Sequence, residues 1–426
     1  MVILLEVTNK RLSSFAVHAL KMSSKMLSFS STAQSSVYDA PSWAKTHLSN
    51  LPKHGRLTLS NTPTPLQQIS TKNMKGAMKI LSDLQTNFYM KRDDMTAGVE
   101  MGGNKIRKLE FLLAEALRLG HDSVVTIGGE QSNHCRTTAA ACRMVELEPH
   151  LILRTNKCAD VSDDVTEGSK KLGVVGNVLF DRMVGAKIHT CTPGEYGRLG
   201  SNVLIEKVCE NLRASGKNPY PIPVGGSNQL GTWGYIDGVD ELQHQLKAEN
   251  VQLDHVVFAS GSGGTATGIA LGMNLSSNHY GFRIPTIHPV GVCDDPPYFH
   301  RVLSEIASEM GYSFDDGQVS SSSSIPHTTV HQGKNLGYAQ STTDELEFIT
   351  QFASDTGIVL DPVYSGKALY HFITHVIPSN SEIFRGKNIL FWHTGGSLGM
   401  YEKESMIVNE LDKVSTVNRL DAYNKL

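Results

Sequence analysis

Residues Gly102 to Ala116 read GGNKIRKLEFLLAEA. Two glycines and an asparagine lead into Ile106, Leu109, Phe111 and Leu112, whose recurrence predicts a helix from Lys105 to Leu119 that opens on a lysine. A lysine at a helix N-terminus feels the positive end of the macrodipole, which disfavours its ammonium form. A neutral amine is what a cofactor aldehyde requires of its nucleophile. Alone, the segment also reads as a solvated basic face of Lys105, Arg107 and Lys108, so the chemistry needs support from elsewhere in the chain.

Outward from this stretch, from about Leu51, short β-branched runs alternate with amphipathic ones, the α/β signature. Buried strands are predicted at Ser123–Ile127, Leu151–Arg154, Lys187–Thr190, His255–Ala259, Thr286–Val292 and Asn388–Trp392. Helices are predicted at Arg136–Leu147, Val203–Ala214, Asp237–Glu249 and Thr343–Thr356. Ser320–Ser324, followed by Ile325 and Pro326, reads as a surface loop.

The chain has 38 glycines in 426 residues, a mild excess over the usual share of about 7%. They concentrate in four places: Gly102–Lys108, Gly128–His134 (GGEQSNH), Ser260–Gly268 (SGSGGTATG) and His393–Gly399 (HTGGSLG). A strand, a glycine-rich turn and a helix start together make an anion cradle, because backbone N–H groups and the helix dipole converge on one point. Ser260–Gly268 is the best phosphate candidate, with Ser262, Thr265 and Thr267 as hydroxyl donors. A P-loop is excluded by the missing GK[ST] lysine. A dinucleotide site, and with it an NAD-dependent oxidoreductase, lacks the acidic residue expected at the end of a second strand.

With 39 basic and 42 acidic residues the net charge is −3, which provides no excess to hold nucleic acid or an anionic membrane surface. No run approaches the roughly 18 apolar residues of a membrane helix. The six cysteines show no zinc spacing and read as free thiols, with no metal site. Residues 1–45 read as a transit peptide or disordered leader: serine-rich and acid-poor, with Lys10, Arg11 and Lys21 flanking an apolar stripe of Leu12, Phe15, Ala16, Ala19 and Leu20. This predicts a mitochondrial address, with a chloroplast one, or a cytosolic form from Met22 or Met26, as alternatives.

Together, GGNKIRKLEFLLAEA, GGEQSNHCR, GSGGTATG, LDPVYSGK (Leu360–Lys367) and HTGGS resemble the 1-aminocyclopropane-1-carboxylate deaminase and D-cysteine desulfhydrase family, in the same order from roughly Leu51 to Tyr401. The resemblance implies a pyridoxal 5'-phosphate enzyme of fold type II (tryptophan synthase β-like): two open twisted α/β domains with the cofactor in the cleft. A large domain would span 46–107 and 222–426 and a small one 108–221. It also implies a homodimer.

Carried over residue by residue, the resemblance makes Lys105 the covalent anchor of the cofactor and the carrier of protons at the substrate Cα. Asn133 would bond the cofactor's phenolate oxygen, and Gly261, Ser262, Gly263, Gly264 and Thr265 would hold its phosphate. Ser132 and the backbone through Asn133 and His134 would receive the substrate carboxylate, and Tyr338 and Tyr364 correspond to the family's two active-site tyrosines. In the deaminases the residue after the DPVY tyrosine is Glu and the one before the C-terminal GG is Leu. Here they are Ser365 and Thr394, as in the desulfhydrases. Hydroxyls leave the pyridine nitrogen closer to neutral than a carboxylate would, and elimination of a good leaving group demands less carbanion stabilisation. The expected reaction is therefore D-cysteine + water → hydrogen sulfide + ammonia + pyruvate, a carbon–sulfur lyase activity. The cyclopropane deaminase, or a lyase of D-serine or β-chloro-D-alanine, is the alternative. Glu130 departs from the expected apolar residue and would repel the substrate carboxylate if it faced the cleft.

Overall fold

A computed structural model describes residues 36–158, 165–314 and 324–418. The leader as far as residue 35, and the serine run apart from Ser324, lie outside the described residues. Residues 36–45, read from sequence as leader, pack on the body instead. Trp43 is buried and its Nε1 donates to Asp240 at 2.7 Å, while the Tyr38 hydroxyl donates to Asp237.

Two sheets organise the chain. Strands β1 (Leu66–Ile69), β2 (Asn87–Arg92), β7 (His255–Ser260), β8 (Thr286–Gly291), β9 (His331–Gln332) and β10 (Asn388–His393) form one, in the order β1-β2-β10-β7-β8-β9. All its pairings are parallel except β1 with β2. Strands β3 (Ser123–Gly129), β4 (Glu148–Arg154), β5 (Lys187–Cys191) and β6 (Pro219–Pro221) form a parallel sheet in the order β5-β4-β3-β6. All six predicted strands are present. In β7 the apolar run follows from burial on both faces: Val256 and Phe258 point into one core, Val257 and Ala259 into another.

Helix α1 (Lys105–Arg118) is the link between the sheets, and its basic residues are not solvated. Arg107 and Lys108 are each 1% exposed. Burial alone would favour neutral groups; for Asp93 the Arg107 guanidinium outweighs it and holds the carboxyl at about 2. Arg107 Nε and Nη2 donate to the two Asp93 oxygens at 3.0 and 2.9 Å, and Nη1 donates to Glu241 at 3.0 Å.

Helix α2 (Asn133–Met144) follows β3, and helix α3 (Gln229–Glu249) lies against α1. The sequence places the start of α3 at Asp237, eight residues late; the first two turns carry Gly231 and Gly234, poor helix formers, and Gly238 follows. They are packing residues. A Cβ at Gly234 would lie 2.3 Å from the Arg107 carbonyl oxygen, so the two helices approach backbone to backbone. Helix α4 (Gly264–Tyr280) follows β7, is buried along most of its length, and shows no amphipathic period in its sequence.

Candidate active site

A cleft of about 650 Å³ opens between the sheets and is lined from both: Ile127–Gly129 and Arg154 from one, Ala259–Ala266 and Thr394 from the other. It lies at the carboxyl ends of β3, β4, β7 and β10, where open α/β sheets place ligands. Lys105, the first residue of α1, lines it. Burial lowers the Lys105 amine to about 8, so the neutral nucleophile is far more accessible than in an exposed lysine.

The segment that aims Lys105 is fixed by backbone contact. Gly103, at φ +117°, crosses the turn of Thr394 and Gly395, and a Cβ on Gly395 would lie 2.7 Å from Gly103 Cα. Asn104 N donates to the Thr394 carbonyl at 3.0 Å, and Arg136 Nη2 holds the Gly102 carbonyl at 2.9 Å. The HTGG and GGNK motifs are therefore a single crossing.

Gly261, Ser262, Gly263, Gly264 and Thr265 form the turn from β7 into α4, leaving the first N–H groups of that helix facing the cleft. A second turn, Val224–Gly226 with Ser227, faces it. Ser227 Oγ is 2.8 Å from Ser262 Oγ and accepts from Gly264 N at 3.2 Å. Buried Lys108 Nζ donates to Ser227 Oγ at 3.0 Å and to the Gly225 carbonyl at 3.2 Å. A Cβ at Gly264 would meet Lys108 Nζ and Ser227 Oγ at 2.9 Å. The backbone, hydroxyl and amine donors that meet there suit a phosphate monoester, although burial and the neighbouring Lys105 push the Lys108 amine well down. Thr265 Oγ1 accepts from Asn104 Nδ2 at 3.0 Å, whereas Thr267 turns its hydroxyl onto the Gly263 carbonyl at 3.2 Å and is not a cleft donor.

Ser132 caps α2, its Oγ accepting from Cys135 N at 3.2 Å. Asn133 Oδ1 accepts from Asn177 Nδ2 at 3.1 Å, which leaves the Asn133 amide N–H groups to the cleft. His134 lines the cleft, but its Nε2 is engaged by Thr126 Oγ1 at 2.9 Å. That hydroxyl donates to the Ile222 carbonyl at 2.9 Å and so accepts from His134, leaving Nδ1 bare; it has no hydrogen-bond partner among the described residues. Glu130 turns away, accepting from Thr155 Oγ1 at 2.6 Å and pairing with Lys157, so the feared repulsion is absent.

Opposite these residues, the Tyr338 and Tyr364 hydroxyls are 2.7 Å apart, and burial raises both phenols so that they stay protonated. Tyr338 rides on a loop gripped from beneath: buried Lys367 Nζ donates to the Lys334 and Gln340 carbonyls at 3.2 and 2.7 Å, and Lys403 Nζ donates to that of Ala339 at 2.6 Å. Thr394 lines the cleft, but Ser365 is fully buried behind it, with Oγ 3.3 Å from Thr394 Oγ1. Asp361 fixes this turn by accepting from the N–H groups of Val363, Tyr364 and Ser365 at 2.7–3.0 Å.

Sequence reasoning missed Lys108, Ser227, Asn177 and Arg154. Only the GGSN run (Gly225–Asn228) and the position of Arg154 at a strand's carboxyl end offered any signal.

Comparison with known proteins gives a consistent picture. The profile of the family described as pyridoxal-phosphate dependent enzyme matches residues 57–395. The chain is 41% identical to a mitochondrial bifunctional D-cysteine desulfhydrase/1-aminocyclopropane-1-carboxylate deaminase of Arabidopsis thaliana, over 91% of each chain. It is 36% identical to a putative 1-aminocyclopropane-1-carboxylate deaminase of Thermotoga maritima, over 83% of this chain and 100% of the other. A crystal structure of an ACC deaminase homologue superposes with a TM-score of 0.67 at 28% identity, covering 87% of this chain and 100% of that one.

Proposed function

This chain belongs to the pyridoxal-phosphate dependent enzyme family, and from that premise we propose that it eliminates hydrogen sulfide from D-cysteine, yielding pyruvate and ammonia. Family membership removes the nicotinamide-dependent reading. Pyridoxal phosphate, when bound, supplies an electron sink that acidifies the Cα–H of an amino acid.

Lys105 would hold the cofactor through its amine and later take the Cα proton, roles matched to an amine lowered to about 8. The Gly261–Thr265 turn, Ser227 and Lys108 would bind the phosphate. Asn133, oriented by Asn177, would donate to the cofactor's phenolate oxygen. The N-terminus of α2, with Ser132 at its cap, would orient the substrate carboxylate. Tyr338 and Tyr364 share one phenol proton between them, so the other is directed into the cleft, where it can meet the departing sulfur.

The observation that carries the choice of substrate is the hydroxyl pair Ser365–Thr394. No carboxylate occupies either position, so the ring nitrogen would face the Thr394 hydroxyl, backed by Ser365, and sulfide elimination is favoured over cyclopropane opening. The bifunctional name of the Arabidopsis relative supports the cyclopropane deaminase as a second, weaker activity. Assaying D-cysteine, L-cysteine and 1-aminocyclopropane-1-carboxylate side by side tests this. Sulfide and pyruvate from D-cysteine at the highest kcat/KM are expected; turnover of the cyclopropane with none of D-cysteine would overturn it.

Within the same proposal the chain divides into a large domain (46–107 and 222–426) and a small one (108–221), and works as a homodimer, which light scattering tests. A mitochondrial address is supported by the relative's name and by the serine-rich, acid-poor leader. Import of a fluorescent fusion, with and without residues 1–35, tests it.

A further inference from the structure

Arg154 occupies the carboxyl end of β4, paired in register with Gly129 at the end of β3. Its guanidinium carbon lies 4.9 Å from the ring centre of Tyr196 and 5.7 Å from that of Tyr338. Stacking on aromatic faces fixes a guanidinium while leaving the N–H groups at its edge free to donate. Among the described residues no carboxylate lies within ion-pair distance of it, although Glu130 is its neighbour across the strand ends. Glu130 is taken by Lys157 and Thr155. The cleft therefore holds a fixed cation that the roles assigned so far do not use.

Gly129 shows what space that cation addresses. A Cβ at Gly129 would touch the Tyr338 ring edge at 3.7 Å, its hydroxyl at 3.9 Å and Arg154 Nη2 at 4.0 Å, so both donors border the space over Gly129. Gly129 stands four residues before Asn133, the start of α2, whose first N–H groups would receive one anionic group. A second anionic group on the same small ligand would meet Arg154 and Tyr338.

We propose that Arg154, with Tyr338 beside it, is the binding site for the substrate's β-substituent and selects substrates whose leaving group carries developing negative charge. The inference rests on the lyase reading above. In the elimination the Cα proton passes to the Lys105 amine, and the Cβ–S bond breaks with its electron pair going to sulfur. The departing hydrosulfide would be met by the guanidinium, and water then hydrolyses the released enamine to pyruvate and ammonium. Charge-assisted hydrogen bonds of this kind are shorter and stronger than those between neutral groups. A poor leaving group depends on them more than a good one such as chloride.

The test uses full-length enzyme loaded with pyridoxal phosphate, with Arg154→Met and the conservative Arg154→Lys, and compares kcat/KM for D-cysteine and β-chloro-D-alanine. Arg154→Met is expected to lower D-cysteine turnover by about tenfold or more, with a much smaller change for β-chloro-D-alanine and partial recovery in Arg154→Lys. Equal losses on both substrates would mean that Arg154 holds the carboxylate, and no loss would mean that it holds neither; either overturns the assignment. Calorimetric titration with 3-sulfopropionate and with butyrate gives a readout independent of turnover. Wild type should prefer the dianion and Arg154→Met should lose that preference, whereas an equal preference in both proteins refutes the site. Inactive wild type on both amino acids would sink the lyase reading alone, because the titration still decides Arg154.

Discussion

Ser365 Oγ lies 3.2 Å from His393 Nδ1 and 3.3 Å from Thr394 Oγ1. His393 Nε2 faces the Val359 carbonyl at 3.2 Å, an oxygen that only accepts, so the proton sits on Nε2 and Nδ1 accepts from Ser365. Burial lowers the imidazole and keeps it neutral. Ser365 thus faces inward onto Nδ1, which also accepts from Gly395 N at 3.3 Å, and Thr394 is the hydroxyl that lines the cleft. Converting the pair to the deaminase residues, Ser365→Glu with Thr394→Leu, is expected to shift the ratio of kcat/KM values towards the cyclopropane substrate by about tenfold, or ~1.4 kcal/mol. An unchanged ratio would remove these hydroxyls from substrate selection.

Lys105 makes a prediction about pH. Its amine, lowered to about 8 by burial, is protonated below that value and increasingly free above it. In the cofactor-free protein its reaction with an amine reagent such as trinitrobenzenesulfonate should rise with a midpoint near pH 8 and level off well below the value of about 10.4 for an exposed lysine. Peptide mapping of the labelled site against pH reports it; a midpoint above 10 would contradict the enclosed environment.

Lys367 makes one about stability. Its ammonium is buried with Glu345, at 3.1 Å, beneath the Tyr338 loop. Lys367→Met strands that carboxylate and is expected to cost about 3–5 kcal/mol, measured by urea unfolding. Adding Glu345→Gln should recover part of the loss, since glutamine keeps the bond to Thr342 N, 2.9 Å in the wild type. A positioning role for Tyr338 adds a fall in kcat that the second substitution does not restore.

Much of the fold was legible because β3, β7 and β10 carry short apolar runs and the glycine turns that follow them stand at the cleft. The strands that escaped are β1, β2, β6 and β9. Three of these are sheet edges, and β6 and β9 are only three and two residues long. Helix α4 escaped because burial on all sides erases the period that marks a surface helix. Within the site, Lys105 and the Gly261–Thr265 cradle announce themselves by local pattern. Lys108, Ser227, Asn177 and Arg154 do not: each acts through partners that the fold brings from distant segments, such as Lys108 reaching Ser227 across 119 positions. The basic-face reading of Arg107 and Lys108 failed for the same reason, since Asp93 and Glu241, which neutralise Arg107, belong to other elements.

The N-termini of α2 and α4 open on the same cleft but spring from different sheets. A cofactor phosphate held at one and a substrate carboxylate at the other would make the joined pair a strut spanning two layers of the protein. Such a ligand, unlike either half, would resist their separation, so that grip on the substrate would depend on the spacing of the layers.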